Sequence, residues 1–257
     1  MLSITGIPAF TDNYIWMITS SGSGFAAIVD PGDAQVVLQR LSQQSLQPVA
    51  ILITHHHRDH IGGIREILSH YQVPVYGPAR EHINGISHAV TEGDQITIPE
   101  LGASFRVIDT PGHTRGHVCY HGHSLLFCGD TLFTAGCGRL FEGTAAQMQD
   151  SLHRLRQLPD DTQVYCAHEY TQANLAFARI ALPDNPDIRR RQEDVIRKRR
   201  TGLSTVPANL GLEKRTNPFL RWDDPVLIRR AEEFTATRLE APAEIFSVIR
   251  HWKDTLD

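Results

Sequence analysis

Thr54-His55-His56-His57-Arg58-Asp59-His60 stands between the apolar run Val49-Ala50-Ile51-Leu52-Ile53 and the pair Gly62-Gly63. An apolar, β-branched run of that length reads as a buried strand, so the motif begins where a strand ends. Side chains alternate along extended chain, so His55 and His57 can face one way while His56 faces the other. Asp59 and His60 stand where Ile61, Ile64, Ile67 and Leu68 begin a helical stripe, which puts a carboxylate and an imidazole at a helix N-terminus. Such donors suit borderline and hard cations, and the lack of thiolate in the motif argues against a structural four-cysteine site. A bare run of histidines would fit a loop or a metal-scavenging tract equally well. The ordered H-x-H-x-D-H spacing between strand and helix instead predicts a catalytic site with two metals.

Outward from the motif, short strands are expected over residues 2–7, 14–19 and 25–30, the last closed by the breaker Asp30-Pro31-Gly32. They read as an antiparallel opening sheet. The stripe Val37, Leu38 and Leu41 predicts a helix over 34–46, and a second helix is expected over 61–70. Further strands are predicted at 73–76, 95–98, 104–109, 117–120, 125–128 and 163–166, with a helix over 145–158. Strands with helices between them suggest two sheets packed face to face and covered by helices, a four-layer αββα sandwich. From Thr171 onward no further strand is expected, only helical segments broken by Pro183, Pro186, Pro207, Pro218, Pro225 and Pro242. The reading is a catalytic domain over 1–171 and a helical, substrate-binding domain over 172–257.

The 257 residues give roughly 1.7 domains at about 150 residues each, which fits one main domain with an appendage. Hydrophobic residues make up 41% and charged residues 21%, enough apolar content for a sizeable core and no sign of disorder. Met1-Leu2-Ser3-Ile4-Thr5-Gly6 has no basic leader, no apolar run approaches a membrane span, and Cys119, Cys128, Cys137 and Cys166 form no C-x-x-C pair. A cytoplasmic monomer with reduced thiols and no membrane partner is expected. A net charge of −4 excludes a global attraction to nucleic acid. The run from Arg189 to Arg200 is interrupted by Glu193, Asp194, Val195 and Ile196, so it reads as a solvated helix face. Fourteen histidines point instead to metal chemistry.

Three later stretches put ligand types at strand ends or sharp turns: Thr110-Pro111-Gly112-His113 through Gly116-His117, Cys128-Gly129-Asp130-Thr131, and Cys166-Ala167-His168-Glu169-Tyr170. Glycine lets the backbone come close to a shared centre, and Asp130 ends an apolar strand, where a carboxylate needs a partner or a metal. Asp130 is the natural bridge between two cations.

With these pieces the sequence resembles the metallo-β-lactamase superfamily and, within it, the hydroxyacylglutathione hydrolases, or glyoxalase II proteins. The resemblance runs the whole length and implies a dinuclear site. His55, His57 and His113 would hold one divalent ion, Asp59, His60 and His168 the other, with Asp130 bridging; zinc is expected, with iron or manganese as alternatives. Closer resemblance lies in the stretch from Asp130 to Arg139, in His168-Glu169-Tyr170-Thr171 and in Arg250-His251-Trp252-Lys253-Asp254. In the family these neighbourhoods contact glutathione, which implies Arg139, Phe141, Tyr170, Arg250 and Lys253 as substrate-binding residues. Phe141 departs from the family's pattern, since some members have tyrosine there.

The implied activity is hydrolysis of S-D-lactoylglutathione to glutathione and D-lactate, the second step of methylglyoxal detoxification, with a metal-bound hydroxide as nucleophile. Asp130 and Asp59 would be the catalytic carboxylates, Asp59 orienting the hydroxide. The chemistry agrees with the residues: two cations supply the nucleophile without serine or cysteine, and glutathione's carboxylates call for cations away from the metals. His117 is a candidate brace for His113, and Arg58 either forms a surface ion pair or braces the motif. The readings set against this one are a one-iron persulfide dioxygenase, a lactonase, another thioesterase, or a nucleic-acid processor using the arginine-rich helix.

Overall fold

The computed structural model describes residues 1–256 and divides into two compact units. One comprises residues 1–109 with 114–129; the other comprises 110–113 and 130 onward. In the first unit β1 (Leu2–Ala9), β2 (Asn13–Ser20) and β3 (Phe25–Val29) form an antiparallel meander. After α1 (Ala34–Gln43), β4 (Gln47–Leu52) runs parallel to β3. α2 (Arg58–Ile61) and α3 (Ile64–His70) lead to β5 (Val75–Pro78) and β6 (His88–Val90), which continue the parallel half of the sheet. β7 (Gln95–Ile98), β8 (Ala103–Asp109), β9 (Val118–Gly122) and β10 (Leu125–Gly129) follow as an antiparallel set.

Alternation explains the first sheet. Ile15, Met17, Ala26, Ile28, Ile51 and Ile53 share a core with Val37 and Leu41 of α1 and Ile64 and Ile67 of α3. Trp16, Ile18, Ala27, Val29, Ala50 and Leu52 are buried as well, so β2, β3 and β4 are covered on both faces. That is why residues 49–53 are apolar without alternation, each buried aliphatic side chain being worth about 1.5–3 kcal/mol.

The expected helix over 61–70 is two helices. Gly62 and Gly63 divide them because the backbone presses on the loop after β3: a Cβ on Gly63 would lie 2.5 Å from Pro31 O, and one on Gly62 2.6 Å from Gly32 O. α1 stops at Gln43 rather than at 46, since Ser45 turns into left-handed backbone with φ 53°.

In the second unit β11 (Leu132–Phe133) and β12 (Gly136–Cys137) make a tight hairpin. α4 (Ala145–Arg156), β13 (Gln163–Cys166), α5 (Thr171–Ala181) and α6 (Pro186–Arg200) come next. β14 (Ala208–Asn209), α7 (Leu210–Thr216), α8 (Pro225–Thr235) and α9 (Pro242–Asp254) complete the chain. β14 pairs with β13, which corrects the expectation of no strand after Thr171; two residues are too few to carry a period. Pro186, Pro225 and Pro242 open helices rather than break them, sitting in the first turn where the missing N–H costs nothing. The solvated reading of α6 also needs correction at Arg191, which is buried against Glu213 and Thr216.

Candidate metal centre

In the first unit the ends of β3 and β4 set four candidate ligands. Asp30, just past β3, is buried in left-handed backbone with φ 52°. Its carboxylate accepts Thr54 N at 2.8 Å and Thr54 Oγ1 at 2.7 Å. With its proton directed at Asp30, the Thr54 hydroxyl accepts from His55 Nδ1, 3.0 Å away. Asp30 Oδ2 also takes His60 Nδ1 at 3.0 Å. A carboxylate only accepts, so Nδ1 carries the proton in both rings and Nε2 is left as the donor lone pair. His55 Nε2 meets His57 Nδ1 at 3.1 Å, and His60 Nε2 stands 3.5 Å from Asp59 Oδ2. Asn13, at the start of β2, donates from Nδ2 to that Asp59 oxygen at 2.8 Å. His56 turns instead to the buried carboxylate of Glu81, 2.9 Å away.

The second unit holds the other three. Asp130 follows β10, and its oxygens face different imidazoles: Oδ2 lies 3.3 Å from His113 Nε2 and Oδ1 3.3 Å from His168 Nε2. His113 Nδ1 donates to the Arg139 carbonyl at 2.8 Å, so in the neutral ring Nε2 is again a lone pair aimed at a carboxylate. Two such acceptors repel unless a proton or a metal cation stands between them. Two donors 2.0–2.1 Å from a tetrahedral ion are separated by about 3.3 Å, so the spacing within each unit fits a common ion. A carboxylate with one oxygen toward each of two imidazoles has the form of a bridge.

His113 and Asp130 also line a cavity of about 490 Å³ in the second unit, and around it stand Arg139, Phe141, Tyr170, Arg250 and Lys253. Arg250 and Lys253, three apart on α9, are buried, 3% and 7% exposed. Arg250 Nη1 donates to Cys137 O at 3.1 Å and Nη2 to Asp254 at 2.9 Å, with the guanidinium 4.9 Å above the Phe219 ring. Tyr170 stacks on His168 at 4.8 Å and 3°. Phe141, largely exposed, sets its edge to His113 at 5.2 Å. Burial pushes the Cys137 thiol up to about 11, against the opposing pull of Arg250, and the Cys166 thiol up to about 12. Neither thiol offers a thiolate near neutral pH.

Sequence reasoning missed Asp30, Thr54, Asn13 and Asn174. Asp30 was legible only as a turn breaker, and Asn174 lines the cavity from within α5 without any spacing signal. His117 stacks on His55 at 4.8 Å, and Arg58 with Asn13 and Asp59 lines a second cavity, in the first unit. Glu169 accepts from Thr205 and so holds the segment ahead of β14.

Residues 10–168 match the model of the metallo-β-lactamase superfamily, and residues 169–256 that of the hydroxyacylglutathione hydrolase C-terminus. The hydroxyacylglutathione hydrolase of Nitrosomonas eutropha is 51% identical over 254 residues, covering 99% of each chain. The chain belongs to the hydroxyacylglutathione hydrolases. Among solved structures, the B3 metallo-β-lactamase BLEG-1 is 26% identical with a TM-score of 0.64, covering 85% of this chain and 100% of its own. TTHA1623, solved in a di-iron-bound form, is 27% identical with a TM-score of 0.56, covering 81% and 95%. The chain therefore has the metallo-β-lactamase fold followed by a helical C-terminal part, and its His and Asp groups fit a divalent ion.

Proposed function

We propose that the chain hydrolyses the thioester of S-(2-hydroxyacyl)glutathione, S-D-lactoylglutathione foremost, to glutathione and a 2-hydroxy acid, as the second step of methylglyoxal detoxification. The observation that carries this reading is the full-length identity of 51% to a hydroxyacylglutathione hydrolase. The cavity supports it: candidate ligands His113 and Asp130 line it together with Arg139, Arg250 and Lys253.

His55, His57 and His113 would hold one ion, Asp59, His60 and His168 the other, and Asp130 would bridge. Zinc suits the imidazole and carboxylate donors, and iron or manganese would as well. Two bound ions supply Lewis acidity and lower the pKa of water from about 15.7 toward about 7. The chain's own residues do the rest. Asp59, pinned by Asn13, orients the attacking water, and Arg250 and Lys253 take glutathione carboxylates. Water oxygen adds to the acyl carbon and the carbon–sulfur bond breaks. The departing thiolate has a parent pKa of roughly 8.5 and needs no strong acid.

On this reading residues 1–171 are the catalytic part and 172–257 the substrate-binding part. The protein would work as a cytoplasmic monomer without nucleic acid. Among the described residues no helix is long and apolar enough to cross a membrane. Thiol release from S-D-lactoylglutathione by the metal-replete protein tests the proposal. Efficient cleavage of β-lactams or lactones with glutathione thioesters left intact would refute it.

A further inference from the structure

Residues 130–139 form a strap whose two ends meet candidate ligands. Asp130 is itself one, and the Arg139 carbonyl accepts from His113 Nδ1. Near the end Gly138 packs so tightly that a Cβ there would lie 1.9 Å from Asp130 O and 3.1 Å from His113 Nδ1. Between the ends is the β11–β12 hairpin. At its turn the fully buried Ala135 adopts left-handed backbone with φ 57°. A non-glycine residue persists there only where its surroundings over-determine it.

Those surroundings come from α6, α7 and the residue after it. Glu213, fully buried, accepts Ala135 N at 2.8 Å and Asn217 Nδ2 at 3.2 Å, and it pairs with Arg191 of α6. Asn217 Nδ2 also donates to Phe133 O at 3.1 Å and Gly136 O at 2.9 Å. A buried ion pair contributes little net stability compared with well-packed apolar residues. One buried carboxylate can, however, hold a strained backbone N–H, a guanidinium and an amide together.

We propose that Glu213, with Arg191 and Asn217, positions the metal-ligand strap: by fixing Ala135 this clamp sets the geometry of Asp130 and His113. The proposal rests on the ligand assignment given under the proposed function. Asn174, which donates to Thr134 O, and Arg250 also hold the strap, but both line the cavity and would alter substrate binding too.

Zinc affinity of the full-length chain, measured by chelator competition, tests the clamp in Glu213→Gln and Asn217→Ser, with Asp130→Ala alongside. Both clamp variants should bind zinc about 10-fold more weakly or worse, the range for residues that orient ligands. For S-D-lactoylglutathione their kcat should fall while KM stays near that of the parent. Lowered thermal stability with zinc affinity and kcat unchanged would make Glu213 and Asn217 structural only, and would overturn the proposal. If Glu213→Gln does not fold, Asn217→Ser decides, because it leaves the Glu213–Arg191 pair in place. Parent-like zinc affinity in Asp130→Ala would overturn the ligand assignment and the clamp together. Loss in Asp130→Ala with none in the clamp variants would overturn the clamp alone.

Discussion

The two units assemble their candidate ligands by different routes. In the first unit His55, His57, Asp59 and His60 fall within six residues, and one carboxylate, Asp30, orients both His55 and His60, directly or through Thr54. In the second, His113, Asp130 and His168 come from three distant stretches, with His113 held by the Arg139 carbonyl and Asp130 facing both imidazoles. The first arrangement can be written in a short motif. The second joins positions 113, 130 and 168, which no short motif can hold.

The largest break in this comparison is Asp130→Ala. It removes the partner of both His113 and His168, and metal content should fall from about two per chain toward none. Hydrolysis should drop by more than the roughly 10- to 100-fold typical of losing a residue that merely orients a ligand. Metal analysis with turnover checks it, and two ions retained in the variant would exclude the bridge.

Asp30→Ala should come next. His55 and His60 lose their common brace, so zinc affinity should weaken about 10- to 100-fold while KM for the thioester is little changed. Each buried polar group left unsatisfied should also cost about 1–3 kcal/mol, readable as a lower unfolding midpoint. Wild-type zinc affinity in this variant would make Asp30 a fold residue only.

Smaller and sharper is the contrast between Lys253→Ala and Arg250→Ala. Loss of a charge-assisted contact worth roughly 1.5–3 kcal/mol should raise KM about 10- to 100-fold in either variant. Lys253→Ala should leave kcat and zinc untouched, as expected where binding is uniform between substrate and transition state. Arg250→Ala should in addition disturb zinc, because its guanidinium holds the Cys137 carbonyl in the strap. Identical profiles would mean that Arg250 has no part in the strap.

Phe141→Tyr should have the smallest effect. The side chain is 63% exposed at the cavity's rim, and one added hydrogen bond is worth about 0.5–1.5 kcal/mol, so KM should change by about 10-fold at most. A larger change would make this position a determinant of substrate choice.

How much was legible in the sequence follows the same division. Alternation and apolar runs placed β1 to β5 and β7 to β10 within a few residues, because these strands bury long, regular faces. β6, β11, β12 and β14 were missed, being two or three residues long and fixed by their pairing rather than by pattern. The H-x-H-x-D-H motif was legible as a candidate metal site through its spacing between strand and helix. His113, Asp130 and His168 became candidates through strand ends and glycine, and only the family resemblance joined them into one set. Asp30, Asn13, Glu213 and Asn217 were silent because an acid or an amide reads locally as a turn or surface residue. Their role lies in which backbone or imidazole the fold brings to them.

The most direct test of the account is thiol release from S-D-lactoylglutathione before chelation, after it, and after zinc is restored. The account predicts one thiol per thioester consumed, loss of turnover once the metal is removed, and recovery on adding zinc. Turnover that survives complete metal removal, or a zinc-replete protein that releases no thiol, would contradict it.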